Sequence, residues 1–340
     1  MSSVQGAMAM INVLLVTTWK TSCGIAEHSA LLREAVEAAD PDIRMHPWES
    51  LDPASLLYAK PRPFDPVNCP ILHLNYQAAL HSRWTPAKID FARVQGFKIL
   101  VTYHDTGVPN SDQCKAVIDA ADAAVVHEPF DDLPAEKTHY WRMGVPGWAT
   151  PAEFDRRPTL SGPANPHQAP GSWCGPRPIL GSIGFPFPWK NYGALASVTA
   201  ACGWALYLIA PTASPAQVEA WRAINPHLCV RTDFVPRQEA VSYLSACDVT
   251  AFTYVCHNTG QSGALLQGIA ARKPVIALST CRQNRALYLD PLGREAIYWC
   301  ETFEGVAEAL KFRVPIGRVD PGIVALAEQD GWAALGRKYA

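Results

Sequence analysis

The amino-acid sequence predicts an α/β protein made of two Rossmann-like, doubly wound parallel-sheet domains that face each other across a cleft. From Ile11 onward, short apolar runs alternate with longer amphipathic stretches, a pattern typical of parallel strands joined by crossover helices. A Pro- and Gly-rich stretch interrupts the alternation near the middle of the chain, and the alternation then restarts. The length of 340 residues suits two domains, each large enough to bury its own core.

The first domain is predicted over residues 11–150. Its strands are expected at INVLLVTT, DIRMH, CPILHLNY, FKILVTYHD and AAVVHE, and its helices at residues 24–39, 86–95 and 111–121. Residues 151–177 are predicted to form a linker, because they are dense in Pro, Gly and Ser and show no periodicity.

The second domain is predicted over residues 178–318. Its strands are expected at PILGSIGF, WALYLIA, LCVRTDF, DVTAFTY and KPVIAL, and its helices at residues 191–202, 214–224, 237–247 and 260–271. Residues 319–340 form a tail with one or two amphipathic helices between residues 321 and 339. We expect this tail to pack back on the first domain.

Composition excludes several classes of protein. A formal net charge of -2 gives no overall positive field that would attract nucleic acid or acidic lipid. The ten cysteines are dispersed, without a C-x-x-C pair or a Cys/His cluster at zinc spacing, which favours free thiols in a cytoplasmic protein. The first ten residues lack the features of a secretory signal, and no apolar run reaches the roughly 18 residues of a membrane helix.

The stretch HNTGQSGALLQGIA, at residues 257–270, indicates a phosphate-binding loop. A helix that opens between Gly260 and Gly263 would present backbone N–H groups and the positive end of its dipole, while small residues let an anion approach. The same residues also fit an ordinary strand-to-helix turn in which Thr259 or Ser262 caps the helix.

Lys190 is the candidate counter-charge for a phosphate on that loop. It ends the segment GSIGFPFPWKN, which follows the first strand of the second half, just before a predicted helix. The segment is neither a Walker loop nor the dinucleotide fingerprint, because the glycine spacing differs from both. A solvated surface lysine is the alternative for this residue.

With these residues in place, the second half resembles the donor-binding half of a known family. The segment DFVPRQEAVSYLSACDVTAFTYVCHNTGQSGALLQGIAARKPVIAL is similar to that of nucleotide-sugar glycosyltransferases of the GT-B fold, in particular the retaining group 1 (family 4-like) enzymes. The order and spacing of Lys190, Phe234 to Pro236, Asp248, the glycine loop and PVIA match. The first half is similar more diffusely, through SCGIAEHSALL and LVTYHDT.

The resemblance implies a set of site residues. Those expected to bind the donor, a UDP- or GDP-sugar or another nucleotide sugar, are Gly24, Lys190, Phe234, Val235, His257, Asn258, Thr259, Gly260, Gln261, Ser262, Gly263 and Gln267. Catalytic roles fall to His104, which would face the donor sugar, and to Asp105, a candidate base for the acceptor hydroxyl. The acceptor side would include Trp19, His73 and Asn75. Trp19 and Trp189 stand beside the two helix-opening loops, where an aromatic face can stack on a sugar or base, although core packing suits both residues at least as well.

The sequence departs from the family at its two glutamates, which fall on Thr259 and Gln267. These neutral residues can still hydrogen-bond hydroxyl groups but carry no charge. The family's arginine upstream of the lysine is also missing, near Phe185. The departure favours an altered donor, and it leaves open a non-catalytic nucleotide-sugar-binding protein.

The resemblance implies transfer of a sugar from a nucleotide diphosphate donor to a hydroxyl acceptor. Since Lys190 and the N–H groups of the glycine loop would stabilise the leaving diphosphate, we expect no metal and no cofactor. A modified DNA base is an alternative acceptor, for which a basic groove is suggested only by Arg83, Lys88, Arg93 and Lys98. The segment that carries these four residues also suits peripheral contact with a membrane surface. A bilobal solute-binding protein is a third reading, against which the free cysteines argue.

Overall fold

The computed structural model describes residues 10–18, 24–48, 53, 55, 66–77, 81–104, 111–127, 133–146, 177–255, 261–281 and 284–340. The chain divides into two compact units, which are described separately. The first unit comprises Met1–Gly144, Asn258–Gln261 and Trp332–Ala340, and the second comprises Val145–His257 and Ser262–Gly331.

The first unit contains a six-stranded parallel sheet in the order β2-β1-β3-β4-β5-β6. Its strands are β1 (Ile11–Val16), β2 (Ile43–Trp48), β3 (Ile71–Tyr76), β4 (Lys98–Tyr103), β5 (Ala123–Val126) and β6 (Thr138–Tyr140). Its helices are α1 (Gly24–Ala39), α2 (Pro86–Val94), α3 (Ser111–Ala120) and, from the end of the chain, α12 (Trp332–Tyr339).

Both faces of the first sheet are covered by apolar packing. Leu72, Val101 and Val126 belong to a core on one face, which includes residues of α2 and α3. On the other face, side chains of β1 and β2 pack with residues of α1 and α12, including Leu32 and Trp332. Burial on both faces explains the continuous apolar runs of these strands.

The second unit contains another six-stranded parallel sheet, in the order β12-β11-β10-β7-β8-β9. Its strands are β7 (Ile179–Ile183), β8 (Ala205–Ile209), β9 (Leu228–Arg231), β10 (Val249–Phe252), β11 (Val275–Leu278) and β12 (Tyr298–Cys300). Its helices are α4 (Tyr192–Ala201), α5 (Pro215–Ile224), α6 (Arg237–Ser245), α7 (Gly263–Ala270), α8 (Arg285–Leu289), α9 (Pro291–Ala296), α10 (Phe303–Glu308) and α11 (Pro321–Gln329).

Several helices of the second unit begin at a polar cap followed by proline. The Ser214 side chain accepts from the backbone of Gln217, whose side chain accepts from the Ser214 backbone in return, so α5 starts with a capping box. Asp290 caps α9 and Asp320 caps α11, and in each case the carboxylate accepts from backbone N–H groups at the start of the helix. Proline at the first helical position lacks the N–H that would otherwise need a partner.

The predicted fold class, with its two doubly wound parallel sheets, is confirmed. The predicted domain bounds of 11–150, 151–177, 178–318 and 319–340 stay a prediction. The C-terminal segment is shared between the units, because α11 groups with the second and α12 with the first. Residues 147–176, which hold nearly all of the predicted linker, lie outside the described residues.

Candidate functional site

The second sheet has one point where its strand order reverses. The chain runs from β7 outward through β8 and β9, then returns to β10 on the other side of β7 and continues outward through β11 and β12. The carboxyl ends of β7 and β10 therefore flank a crevice of the kind in which open α/β sheets bind ligands. The segment that contains Lys190 follows β7, and α7 follows β10.

Lys190 is buried near the carboxyl ends of β7 and β10. It ends the single 3-10 turn Pro188–Lys190, is 8% exposed, and holds its ammonium nitrogen 3.3 Å from the ring centroid of Tyr254, just past β10. A backbone hydrogen bond of 2.8 Å from Val255 N–H to the Trp189 carbonyl ties the two segments together. The structure therefore places Lys190 inside the crevice region, and the reading of it as a solvated surface lysine is wrong.

Gly184 gives the lysine its room. Its φ of 141° lies in the region that favours glycine, and a Cβ there would lie 3.1 Å from Tyr192 Oη and 3.5 Å from Lys190 Nζ. The Tyr192 hydroxyl donates to the Gly184 carbonyl at 2.9 Å, which fixes this turn against α4. A side chain at position 184 would therefore crowd the Tyr192 hydroxyl and lie in contact with the lysine side chain.

Helix α7 begins at Gly263, three residues later than the first position predicted for it. The Ser262 hydroxyl accepts a hydrogen bond from Leu265 N–H at 3.3 Å, so Ser262 is the cap and the first helical residue follows it. The first N–H groups of a helix have no partner within the helix. A Cβ built on Gly263 would meet no atom of the described residues within 4 Å, so none of these residues crowds that position.

Two glutamines of the predicted site have different surroundings. On α7, the side-chain oxygen of Gln267 is buried and has no hydrogen-bond partner among the described residues. Gln261, which groups with the first unit, accepts a 2.6 Å hydrogen bond from Met143 N–H through its side-chain oxygen. Only Gln267 therefore has an acceptor still to be satisfied.

The aromatic and apolar candidates of the second unit are partly exposed. Phe234 is 48% exposed beyond the end of β9, whereas the next residue, Val235, is buried. After β7, Phe187 stacks on Trp189 with ring centroids 4.6 Å apart, and Phe187 is 47% exposed. These rings offer flat faces that could stack on a planar base or a sugar.

The first sheet reverses its strand order between β1 and β3. Two predicted site residues, Trp19 and Asp105, lie outside the described residues. The same is true of His257, Asn258, Thr259 and Gly260 of the glycine loop. Gly24 is the first residue of α1. The predicted roles of these residues stay predictions.

A layer of polar side chains, here called the polar layer, lies between the first sheet and helices α1 and α12. It consists of Thr17, His28, Ser29, His73, Asn75, Thr102, His104, His127 and Tyr339. All of them except His127, which pairs with the Trp141 carbonyl, share hydrogen bonds with another member in an otherwise apolar region. Buried polar groups persist in such a place when they are paired.

His73 and Asn75, both predicted on the acceptor side, belong to the polar layer. The His73 Nε2 atom shares a 2.8 Å hydrogen bond with the Thr102 hydroxyl, which shares another of 2.8 Å with the Tyr339 hydroxyl. The Tyr339 ring stacks on His73 with centroids 5.5 Å apart. Burial lowers the pKa of His73 to about 3, so the ring is neutral at pH 7.

Asn75 connects three further members of the layer. Its side-chain oxygen pairs with His104 Nε2 and its amide nitrogen with the Ser29 hydroxyl, while the same nitrogen lies 3.2 Å from His28 Nδ1. Burial, and then the nearby rings of His127, His81 and His73, lower the pKa of His104 well below its ordinary value. His104 is therefore a neutral, hydrogen-bonded ring at pH 7.

The chain is similar to solved structures but not to any protein-family model or curated protein. A glycosyltransferase from Rickettsia africae is similar at 12% identity and a TM-score of 0.64, over 97% of this chain and 96% of that one. The apo structure of OtsA is similar at 11% identity and a TM-score of 0.61, over 97% and 98% of the chains. The chain has the GT-B fold.

Another GT-B structure in this set is described with its ligands. An alpha-glucosyltransferase in complex with UDP and a 13-mer DNA containing a central A:G mismatch is similar at 11% identity and a TM-score of 0.54, over 97% of this chain and 93% of that one. The predicted resemblance to the GT-B fold is thus confirmed. Among the described residues of this GT-B chain, none of the helices has the length and apolar character needed to cross a membrane.

Sequence reasoning missed several members of the two sites. Tyr254 was predicted only as the end of a strand, although an aromatic residue two positions past β10 can face a ligand edge. His28 on α1 and His127 after β5 were not singled out, although His127, like His104, directly follows a parallel strand. Tyr339 joins the polar layer only because α12 returns to the first unit, which no local pattern reveals.

Proposed function

We propose that this GT-B protein is a glycosyltransferase that moves a sugar from a nucleotide diphosphate donor to a hydroxyl acceptor. The donor diphosphate would bind at the crevice between β7 and β10 in the second unit. The single observation that carries this proposal is the burial of Lys190 over Tyr254 at the same sheet edge from which α7 starts. A buried cation beside a helix N-terminus is an arrangement suited to a diphosphate.

This arrangement suits the chemistry of sugar transfer. As the bond to the sugar breaks, negative charge builds on the leaving diphosphate. Lys190 and the first N–H groups of α7, at Ser262 and Gly263, would stabilise that charge without reorganising. We therefore propose that no metal ion is needed on the diphosphate, and that transfer proceeds with retention, as the resemblance to the group 1 enzymes implies.

The rest of the donor would extend along α7 and toward the end of β9. The buried, unpaired oxygen of Gln267 could accept a hydrogen bond from a ribose hydroxyl, and the exposed ring of Phe234 could stack on the base. Donor-sugar contacts would come from the glycine loop. We keep UDP and GDP as the nucleotides to be tested first.

For the first unit we propose the acceptor side. His73 and Asn75 are buried members of the polar layer within β3, and His104 directly follows β4. We propose that His104 contacts the donor sugar and that Asp105, the next residue, takes the acceptor proton. A structure with bound donor and acceptor would test both roles directly.

A modified DNA base is a second candidate acceptor, favoured by the fold likeness to the alpha-glucosyltransferase solved with UDP and DNA. The charges disfavour it. Of the four basic residues that suggested a groove, Arg93 lies 3.4 Å from an Asp90 carboxylate oxygen and 3.6 Å from one of Asp122. An arginine paired with two acids attracts phosphate weakly. A small hydroxyl acceptor therefore stays our first choice.

The non-catalytic alternative makes a different prediction from the transferase. Thr259 and Gln267 replace the glutamates of the family, and a protein that had lost turnover would still bind the donor. Mass spectrometry of the full chain incubated with its best-binding nucleotide sugar and a panel of hydroxyl acceptors separates the two. The transferase predicts nucleoside diphosphate and glycosylated product in equal amounts. Donor binding without either product would contradict transfer while leaving the donor site in place.

A further inference from the structure

Three histidines that are distant in sequence meet in the first unit. His28 lies on α1, His104 directly follows β4 and His127 directly follows β5. One ring nitrogen of each lies within 4.8 Å of the others. The ring centroids are 4.5 Å apart for His28 and His104, 5.4 Å for His28 and His127, and 5.1 Å for His104 and His127. These three residues are called the histidine cluster below.

The spacing of the rings matches that around a tetrahedral metal ion. When three imidazoles bind zinc at about 2 Å, their ring centres lie about 5 Å apart and their bound nitrogens about 3.3 Å apart. The observed centroid distances already fit. The ligand nitrogens, which lie within 4.8 Å of one another, would have to approach by up to about 1.5 Å.

His127 is already oriented as a ligand. Its Nδ1 donates to the Trp141 carbonyl at 2.7 Å, which leaves the lone pair on Nε2. The Nε2 atom is buried and has no hydrogen-bond partner among the described residues. Metal-binding histidines typically donate their second ring N–H to a carbonyl or carboxylate in this way.

Asn75 contacts the other two rings. Its side-chain oxygen accepts from His104 Nε2, so the lone pair of His104 lies on Nδ1. The amide nitrogen of Asn75 lies 3.2 Å from His28 Nδ1, and an N–H donated there places the His28 proton on Nε2. For His28 Nε2 to bind a metal, the proton must move to Nδ1 and this contact must open, because one amide cannot offer its oxygen to both histidines.

The ligand type defines the class of metal. Neutral imidazoles suit zinc, copper, nickel and cobalt rather than magnesium or calcium. His104 is the most exposed of the three rings, so a water in the fourth position would lie on its side.

We propose that His28, His104 and His127 bind a transition-metal ion of the zinc class, with Asn75 as the residue that positions His104. The ion would join α1 to the carboxyl ends of β4 and β5. No residue of the second unit takes part, so the site is separate from the proposed diphosphate site and shares only His104 with the proposed sugar contact. A bound ion would occupy His104 and withdraw it from any contact with a donor sugar.

The test is titration of the full-length protein, stripped of metal by a chelator, with zinc chloride and with cobalt chloride. We expect one zinc ion per chain, a rise in melting temperature on binding, and visible cobalt absorption typical of nitrogen ligands. His127→Gln should weaken zinc binding at least tenfold, and His227→Gln, a histidine of the second unit, should leave it unchanged. Asn75→Asp should strengthen it, because a carboxylate accepts from both His28 and His104.

The outcomes are separable from misfolding and from the proposed transfer. Circular dichroism reports whether each variant folds, and Asn75→Asp predicts a gain that misfolding cannot produce. No zinc binding by the wild type would overturn the proposal. So would near-ultraviolet cobalt–thiolate absorption, which would assign the metal to cysteines, or equal binding by wild type, His127→Gln and Asn75→Asp. None of these results depends on the donor.

Discussion

The ammonium group of Lys190 lies over the ring of Tyr254, with Nζ 3.3 Å from the ring centroid. Both residues are buried, Lys190 after β7 and Tyr254 after β10. A cation held against an aromatic face in a water-poor place is strongly oriented. The contact therefore spans the point where the second sheet reverses its strand order and fixes the charge there before any ligand arrives.

Removal of the Tyr254 ring should weaken binding of a nucleoside diphosphate although residue 254 touches no phosphate in this account. Tyr254→Leu should reduce affinity by about 0.5–2 kcal/mol, because Lys190 loses its aromatic support. Tyr254→Phe keeps the ring and should bind nearly as well as wild type. Isothermal titration calorimetry measures both. Equal affinity for all three proteins would show that the ring does not position the lysine.

Two glycines of α7 should respond to alanine with opposite signs. A Cβ at Gly263 would meet no described atom within 4 Å, so Gly263→Ala should keep or raise stability by up to about 1 kcal/mol while the methyl group obstructs the phosphate seat. A Cβ at Gly268 would lie 2.1 Å from the Phe252 ring, so Gly268→Ala should destabilise by about 1–3 kcal/mol.

Thermal unfolding with and without a nucleoside diphosphate distinguishes these two effects. Gly263→Ala should unfold at the wild-type temperature or above, yet gain less from the ligand. Gly268→Ala should unfold earlier whether or not ligand is present. A full ligand response in Gly263→Ala would place the phosphate elsewhere.

Replacing Gln267 by leucine should weaken nucleotide binding without lowering the stability of the fold. Its side-chain oxygen is buried without a partner among the described residues, so Gln267→Leu should leave stability unchanged or raise it. If the oxygen receives a ribose hydroxyl, the same change should lower nucleotide affinity by about 0.5–1.5 kcal/mol. Denaturant unfolding and calorimetry give the two numbers. Unchanged affinity would remove Gln267 from the donor site.

Buried neutral histidines should make the fold sensitive to mild acid. Burial lowers the pKa of His73 to about 3 and that of His81 to about 4, both below the ordinary value of 6.5. Between about pH 6.5 and 4 the unfolded chain therefore binds more protons than the folded one, so stability is full above pH 6.5 and falls as the pH drops. Each such histidine contributes up to about 1.4 kcal/mol per pH unit.

Guanidinium unfolding at a series of pH values between 7.5 and 4.5 checks this prediction. His73→Leu should flatten the dependence of the unfolding free energy on pH by about one proton, because it removes one of the titrating groups. Its loss of the hydrogen bond to Thr102 lowers stability at every pH and does not alter the slope. An equal slope in wild type and His73→Leu would mean that His73 titrates normally in the folded state.

Much of the fold follows from local sequence patterns. The predicted helix at residues 24–39 coincides with α1, and the apolar runs around β1, β3, β7 and β8 lie within one to three residues of the predicted strands. These elements are buried on both faces, so composition alone marks them. Strands β6 and β12 were not predicted, because each has only three residues.

The sites were only partly predictable. Lys190 could be found because it stands at a strand-to-helix junction, but the start of α7 could not, since Gly260, Ser262 and Gly263 are all plausible helix starts and only the Ser262 hydrogen bond decides. The histidine cluster depends on sheet order, which brings the ends of β4 and β5 together, and on the inward face of α1. No local spacing in the sequence predicts that these three histidines lie close together.

The most direct test of the central claim is calorimetric titration of UDP and GDP into wild-type protein, Lys190→Ala and Lys311→Ala. Lys311 is an exposed lysine of the second unit and serves as the matched control. The account predicts that at least one of the two nucleotides binds the wild type and Lys311→Ala equally, and that Lys190→Ala loses about 1.5–3 kcal/mol of binding free energy. Equal binding by Lys190→Ala and wild type, or binding of neither nucleotide by the wild type, would contradict it.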